Sequence, residues 1–354
     1  MRSKIFYSLA AVVFAIFLAR HHFRDLIEVG RTYATYHTYI RSHPDVLYKY
    51  SRPGKFDNGN SSPSSRKYVP KIIHRIFLQE GRKSTLSNYR AGLESCRRIH
   101  PDWEQKIWTD ENATEFMREH YPAIAPHYTG YAQSIQRANI LRYALLDHFG
   151  GVYLDLDVTC LDSLDRLRHL PWLTPGAYPA GVNNAFILAK PGHPHLKELL
   201  FKVPSRNIRW PMPYVENMLS TGCMYFSNRF MSYARLLMRL GEDAPYEAKF
   251  FVLADQDGNM EPHMLRGAVR TPLFAHAGAS SWHGWDAAMM VLIGQYYGYF
   301  ALLLGMLHGT LFVGLVVLFR RSNRCTAWPN IRRSIGTETI PDHERLSPGK
   351  EFQA

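Results

Sequence analysis

Two aspartates, Asp155 and Asp157, carry the first legible chemistry in this 354-residue chain. They stand one residue apart in the stretch Tyr131 to Cys160, YAQSIQRANILRYALLDHFGGVYLDLDVTC. Two carboxylates so close repel unless a cation lies between them, and hard oxygen ligands suit Mg²⁺ or Mn²⁺. The residues around them say how they are positioned. Ile135, Ala138, Leu141, Leu145 and Phe149 recur at spacings of three and four, which predicts an amphipathic helix. Gly150 and Gly151 then end it, because glycine takes the left-handed cap conformation without a Cβ clash. The period changes to two. Val152, Leu154, Leu156 and Val158 point one way, and Tyr153, Asp155 and Asp157 the other. The expectation is a short strand whose end carries both carboxylates on one face. A lone D-x-D is more often a solvated strand end; the helix, glycine pair and apolar strand before it favour a site.

The elements further along follow the same logic. Lys71 to Leu78 is a mostly apolar run of strand length, followed by a helical segment around Ser87 to Arg98. A second strand is expected over Glu104 to Thr109, and a helix from Asp110. Pro179 to Leu188 reads as a turn entering another apolar strand, ended by Pro191-Gly192-His193-Pro194. Strands alternating with helices predict an α/β fold with a mostly parallel sheet covered on both faces. Ligands of such sheets bind beyond the carboxyl ends of the strands, where Asp155 and Asp157 fall.

Residues 138 to 143, Ala-Asn-Ile-Leu-Arg-Tyr, together with Gly150 to Asp157, resemble the signature of a glycosyltransferase family. Its members include the yeast initiating α-1,6-mannosyltransferase, inositol phosphoceramide mannosyltransferase and, more distantly, the glucosylating clostridial toxins. The resemblance implies a GT-A type, single Rossmann-like domain that retains anomeric configuration. Asp155 and Asp157 would hold the metal, and Arg142 and Asn139 the donor sugar. Asn139 departs from the family, which has aspartate there, so Asn139→Asp is expected to keep or raise activity. His74-Arg75-Ile76-Phe77 resembles the family's His-x-Ile-Trp, with Phe77 as the aromatic stacked on the base; plain core is its bland alternative. Asn183 or Asn184 could bind donor or acceptor, or cap the turn. Ser220-Thr221-Gly222 resembles the family's Thr-Gly-Pro, with Cys223 in place of the proline. The run His276 to Asp286 resembles the C-terminal segment that closes over the diphosphate. Ser280 and Trp282 are its phosphate-binding candidates, and His276 the third metal ligand, with His283 as the fallback.

The ends of the chain set its surroundings. Ile5 to Ala19 is an uninterrupted apolar run after Arg2 and Lys4, read as an uncleaved signal anchor. Ala287 to Phe319 is a longer apolar block closed by Arg320, Arg321 and Arg324, whose charges place that end in the cytoplasm. A two-pass hairpin would instead move the tail into the lumen. The expected division is an anchor over 1–20, a luminal stem and linker over 21–69 and a catalytic domain over 70–286. A transmembrane segment over 287–319 and a basic, disordered tail over 320–354 complete it. Asn60 and Asn112 are glycosylation acceptors in the luminal part. Among four cysteines, Cys325 is juxtamembrane, and the other three permit one disulfide of unreadable pairing. The formal charge of +12 fits anionic membranes and phosphate-bearing substrates better than nucleic acid, for which no motif is present.

The residues closest to the inositol phosphoceramide enzymes are Ile135 to Ala138, the Ser-Thr-Gly segment and Ser281-Trp282-His283. That likeness implies a metal-dependent, Golgi-membrane mannosyltransferase moving mannose from GDP-mannose to inositol phosphoceramide. It also leaves room for a regulatory membrane subunit. Lys202, Arg206 and Arg209 could meet the lipid phosphate or lie on a solvated loop. A hexosyltransferase elongating protein-linked glycans is the nearest alternative; a lipid phosphohydrolase and a non-catalytic scaffold are remote ones.

Overall fold

The structure is a computed structural model that describes residues 2–51, 66–79, 85–278 and 284–324; over 2–19 it describes the backbone alone. The strands are β1 Leu47–Lys49, β2 Ile72–Ile76, β3 Glu104–Trp108, β4 Gly151–Leu154, β5 Val158–Cys160, β6 Trp172–Pro175, β7 Phe186–Ala189, β8 Phe251–Ala254, β9 Val269–Arg270 and β10 Phe274–His276. The α-helices are α1 Arg2–Ser42, α2 Arg90–Ile99, α3 Asp110–His120, α4 Ala125–Gly130, α5 Ser134–Phe149, α6 Pro194–Arg206, α7 Pro213–Ser220, α8 Cys223–Leu240, α9 Trp285–Gln295 and α10 Tyr297–Arg324.

Seven strands form one sheet in the order β1-β8-β6-β7-β4-β2-β3. Its pairings are parallel except the two made by β7, which runs antiparallel to both β4 and β6. The mostly parallel α/β sheet is therefore as expected. Alternation along β4 sends Val152 and Leu154 into one apolar core and Tyr153 into the other. With both faces buried, the strands read as near-continuous apolar runs. A small antiparallel sheet, β5-β10-β9, lies beyond the end of β4.

Two glycines make the joint between α5 and β4. Gly150 has φ +65°, and a Cβ there would lie 2.5 Å from Pro191 Cδ. Gly151 has φ +98°, with Ile72 O 2.6 Å from the same added atom. Side chains at either position would push α5 away from the sheet. His74 locks the joint from β2: its Nε2 donates to Gly150 O at 3.0 Å, and Trp108 Nε1 donates to its Nδ1 at 3.2 Å. His74 is thus a hydrogen-bonded structural histidine.

The catalytic unit begins earlier than Pro70. Residues Met1–Met289 make one compact unit. Helix α1 buries Tyr36, Tyr39 and Ile40 in the larger core, and β1 pairs with β8 at the sheet's edge. Thr32 donates to Asn228 at 2.7 Å, and Arg206 of α6 pairs with both Asp25 and Glu28 of α1. The stem is thus part of the domain, and the boundary expected at residue 70 is corrected. Its buried face was obscured because tyrosine and threonine carry it. Arg206, spent on two carboxylates, is not free to meet a lipid phosphate.

No helix is long and apolar enough to cross a membrane among the described residues, so the two expected spans find no support there. The side chains of Ile5 to Ala19 lie outside the described residues, as do Asn60, Cys325 and the tail from 325 onward. The apolar block 287–319 falls on α9 and α10. Met290–Ala354 forms a second unit, in which α10 exposes Leu303, Leu307, Phe312 and Leu318.

Cys96 of α2 and Cys160 of β5 form a disulfide across a separation of 64 residues, which settles the open pairing. Burial holds several imidazoles neutral. It pushes His74 and His263 down to about 4 and His193 to about 3, and lowers His195 as well. Unfolded, each would titrate near 6.5, so below that pH the unfolded chain takes up protons that the folded chain refuses. Stability should therefore fall as the pH drops from about 6.5 toward 4, by at most about 1.4 kcal/mol per pH unit for each such histidine. Thermal unfolding at pH 7.5 and 5.0 checks this; an unchanged midpoint would show that these rings are not buried neutral.

Candidate active site

The turn after β4 carries the two aspartates, and this differs from the expected strand face. The strand ends at Leu154, Val158 N donates back to Asp155 O at 3.1 Å, and β5 starts at Val158. Asp155-Leu156-Asp157 is a tight turn between two sheets, with Leu156 buried beneath it. Period-two spacing could not reveal this, since a short turn and a continuing strand can both bring alternate side chains to one side. Both carboxylates still line one open cavity. Ile76, Tyr89, Ile135, Asn139, Arg142, Asn183, Asn184, Asn217, Gly222, Cys223 and His276 share its wall.

The two carboxylates have different partners. Asp155 Oδ1 accepts from Tyr153 OH at 2.7 Å and lies 3.3 Å from Arg142 Nη1. Arg142 sits on α5, whose first turn is closed by a capping box between Gln133 and Gln136. Its side chain is 2% exposed, donates to Asn184 O at 2.6 Å and lies 4.4 Å over the Tyr153 ring. Burial opposes its charge, but Tyr153 and Asp155 raise its pKa overall. Asp157 Oδ2 lies 3.4 Å from His276 Nε2, while His276 Nδ1 bonds Gly267 O at 2.7 Å. Burial would lower the His276 pKa, but the Asp157 hydrogen bond and charge outweigh it and raise it.

Among the described residues, no three His, Cys, Asp or Glu side chains converge to hold a metal. His276 is brought to the cavity, but as the ion-pair partner of Asp157 rather than as part of a preformed three-ligand set. The donor chemistry nevertheless fits Mg²⁺ or Mn²⁺. Two carboxylates face an open cavity, and such ions take their remaining ligands from water and phosphate rather than from an all-protein cage.

Asn139 is 3% exposed and its amide is committed. Its Nδ2 donates to Asn217 Oδ1 at 3.0 Å and Thr221 Oγ1 at 3.3 Å, and its Oδ1 accepts from Asn184 Nδ2 at 3.2 Å. Asn184 also donates to Tyr143 OH at 3.0 Å and accepts from Cys223 Sγ at 2.8 Å. An aspartate at 139 would lose the donor and face the Asn217 oxygen. Asn139→Asp is now expected to lower the melting temperature, at a cost of about 1–2 kcal/mol. Thermal unfolding of the variant reads it out; an equal or higher midpoint would show that the network re-forms around the charge.

Asn183 caps its turn, accepting from Ala185 N at 2.7 Å and donating to Leu265 O at 3.0 Å. Phe77 is 4% exposed and does not line the cavity; it packs edge-on against Tyr89, whose ring does. Ser280, Trp282 and His283 lie outside the described residues. Tyr89, Asn217 and Arg75 were missed; Asn217 lies buried on α7, ahead of the Ser-Thr-Gly segment, with no sequence signal of its own. Tyr89 sits in a helical turn without periodic signal, whereas Arg75, fully buried in the apolar run of β2, was visible as a charge where none is expected.

Residues 87–172 match the family described as glycosyltransferase sugar-binding region containing DXD motif, which spans the aspartate turn and α5. The chain is 30% identical over 271 residues to inositol phosphoceramide mannosyltransferase 1 of Schizosaccharomyces pombe, covering 75% of this chain and 78% of that protein. This chain belongs to the inositol phosphoceramide mannosyltransferase family of DXD glycosyltransferases. Its enzyme class is therefore glycosyltransferase, a class whose DXD motif generally serves a divalent metal. Mannosyl phosphorylinositol ceramide synthase SUR1 of Saccharomyces cerevisiae is 30% identical over 70% of this chain and 63% of its own length. Solved structures align only loosely. The PaToxG glycosyltransferase gives a TM-score of 0.39 at 14% identity, over 59% of this chain and 80% of that one, and no argument rests on it.

Proposed function

We propose that this family member transfers mannose from GDP-mannose to inositol phosphoceramide with retention of configuration. The observation that carries the reading is family membership over most of the chain, joined to a cavity that gathers Asp155, Asp157 and Arg142. Asp155 and Asp157 would hold a divalent cation, Mn²⁺ or Mg²⁺, which supplies charge neutralisation for the departing diphosphate. Arg142, fixed by Asn184 O and Asp155, orients the donor beside that turn. The Asn139–Asn184 network holds the wall against which the sugar rests. Asp155 and Asp157 are the only carboxylates among the described residues of the wall, and both are spoken for. That favours front-face attack, in which the leaving phosphate oxygen takes the acceptor proton. The Cys96–Cys160 disulfide supports an oxidising compartment, and the exposed apolar side chains of α10 support a membrane; together they fit a luminal catalytic domain at the Golgi membrane.

Microsomes containing the protein should convert inositol phosphoceramide to a mannosylated product with GDP-mannose and Mn²⁺ or Mg²⁺. UDP-galactose, UDP-glucose and UDP-N-acetylglucosamine should give none. Mannose appearing on a glycoprotein acceptor instead would move the assignment to glycan elongation.

A further inference from the structure

Arg75 stands out in β2 as a guanidinium that is 1% exposed and whose hydrogen bonds among the described residues go to backbone carbonyls and a sulfur rather than to a carboxylate. Its Nη1 donates to Asp155 O at 2.9 Å and Leu156 O at 3.3 Å. Its Nη2 donates to Val158 O at 3.0 Å and Gly92 O at 3.3 Å, and lies 2.9 Å from Cys96 Sγ of the disulfide. One side chain thus ties the aspartate turn to α2 and to the Cys96–Cys160 bridge. A buried cation is costly unless its donors are met, and a planar fork of five N–H groups can satisfy several divergent carbonyls at once. Lysine, with one compact ammonium, cannot span the same set.

We propose that Arg75 is a positioning residue for metal binding: it clamps the backbone of Asp155, Leu156 and Val158 so that both carboxylates face the cavity before any cation arrives. This rests on the reading of that cavity as a metal-dependent nucleotide-sugar site. The clamp acts on the carbonyl side of the turn, opposite to the side chains that bind. The same positive charge beneath the turn lessens the mutual repulsion of Asp155 and Asp157 in the free protein.

The test measures binding of Mn²⁺ with GDP to the purified full chain by calorimetry, without acceptor, so it does not depend on which lipid or glycan is mannosylated. Groups that orient metal ligands are typically worth 10–100-fold in metal affinity. Arg75→Lys and Arg75→Gln are expected to weaken Mn²⁺ binding by roughly tenfold or more, with the Michaelis constant for acceptor unchanged. A folded variant that binds Mn²⁺ and GDP within about twofold of the parent overturns the proposal, whatever its melting temperature. Should both variants fail to fold, hydrogen exchange on the parent protein decides. With the turn preset, the amides of Asp155 and Val158, bonded to Ala185 O and Asp155 O, are already protected in the free protein, and Mn²⁺ with GDP slows them little. A rise in protection of more than about tenfold on ligand addition would show a turn ordered by the metal instead, and would overturn the clamp. Failure of parent protein to bind Mn²⁺ and GDP at all would refute the site reading itself, a result distinct from either.

Discussion

Asp157→Asn is expected to cut mannosyl transfer by about a thousandfold while leaving the melting temperature within a few degrees of the parent. The amide keeps the shape of the carboxylate and removes its charge, so the loss falls on the cation and the diphosphate that it neutralises. Several kcal/mol of such stabilisation corresponds to about three powers of ten in rate. The structural cost is small by comparison. The Asp157–His276 pair lines the cavity with side chains 15% and 12% exposed, and an asparagine oxygen can still accept from His276 Nε2, so only the charge part of that bond is lost, about 1–2 kcal/mol. The two readouts are transfer at saturating Mn²⁺ and thermal unfolding. Activity within tenfold of the parent would remove Asp157 from the metal.

Asp155→Asn should show the opposite balance: loss of transfer together with a marked loss of stability, of about 2–4 kcal/mol. Its partner Arg142 is 2% exposed, so removing the carboxylate charge leaves a buried guanidinium with neutral partners to offset it, the Asn184 and Ala138 carbonyls and the Tyr153 ring. The repulsion expected between two adjacent carboxylates is therefore outweighed at Asp155 by its pairing with Arg142. A melting temperature for Asp155→Asn equal to that of Asp157→Asn would show that Arg142 does not depend on Asp155. Combining Asp155→Asn with Arg142→Gln should recover part of the stability, since the uncompensated charge is then gone, without restoring transfer.

The sequence by itself determined the parts that depend on local spacing. Apolar residues at three and four, the glycine pair and the switch to period two located α5, the start of β4 and the aspartates after it, because those signals are written in consecutive side chains. Family identity was legible in the same stretch. The tertiary structure decided what depends on residues far apart in the chain. It turned Asp155-Leu156-Asp157 out of the strand into a turn, gave Asp155 to Arg142 and Asp157 to His276, and closed Asn139 into a polar network with Asn184 and Asn217. It also drew α1 and β1 into the domain through Tyr36, Tyr39 and the β8 edge, and set Arg75 beneath the turn. The physical reason is the same in each case: a hydrogen bond or ion pair between residues tens of positions apart leaves no periodic trace, and only packing chooses the partner.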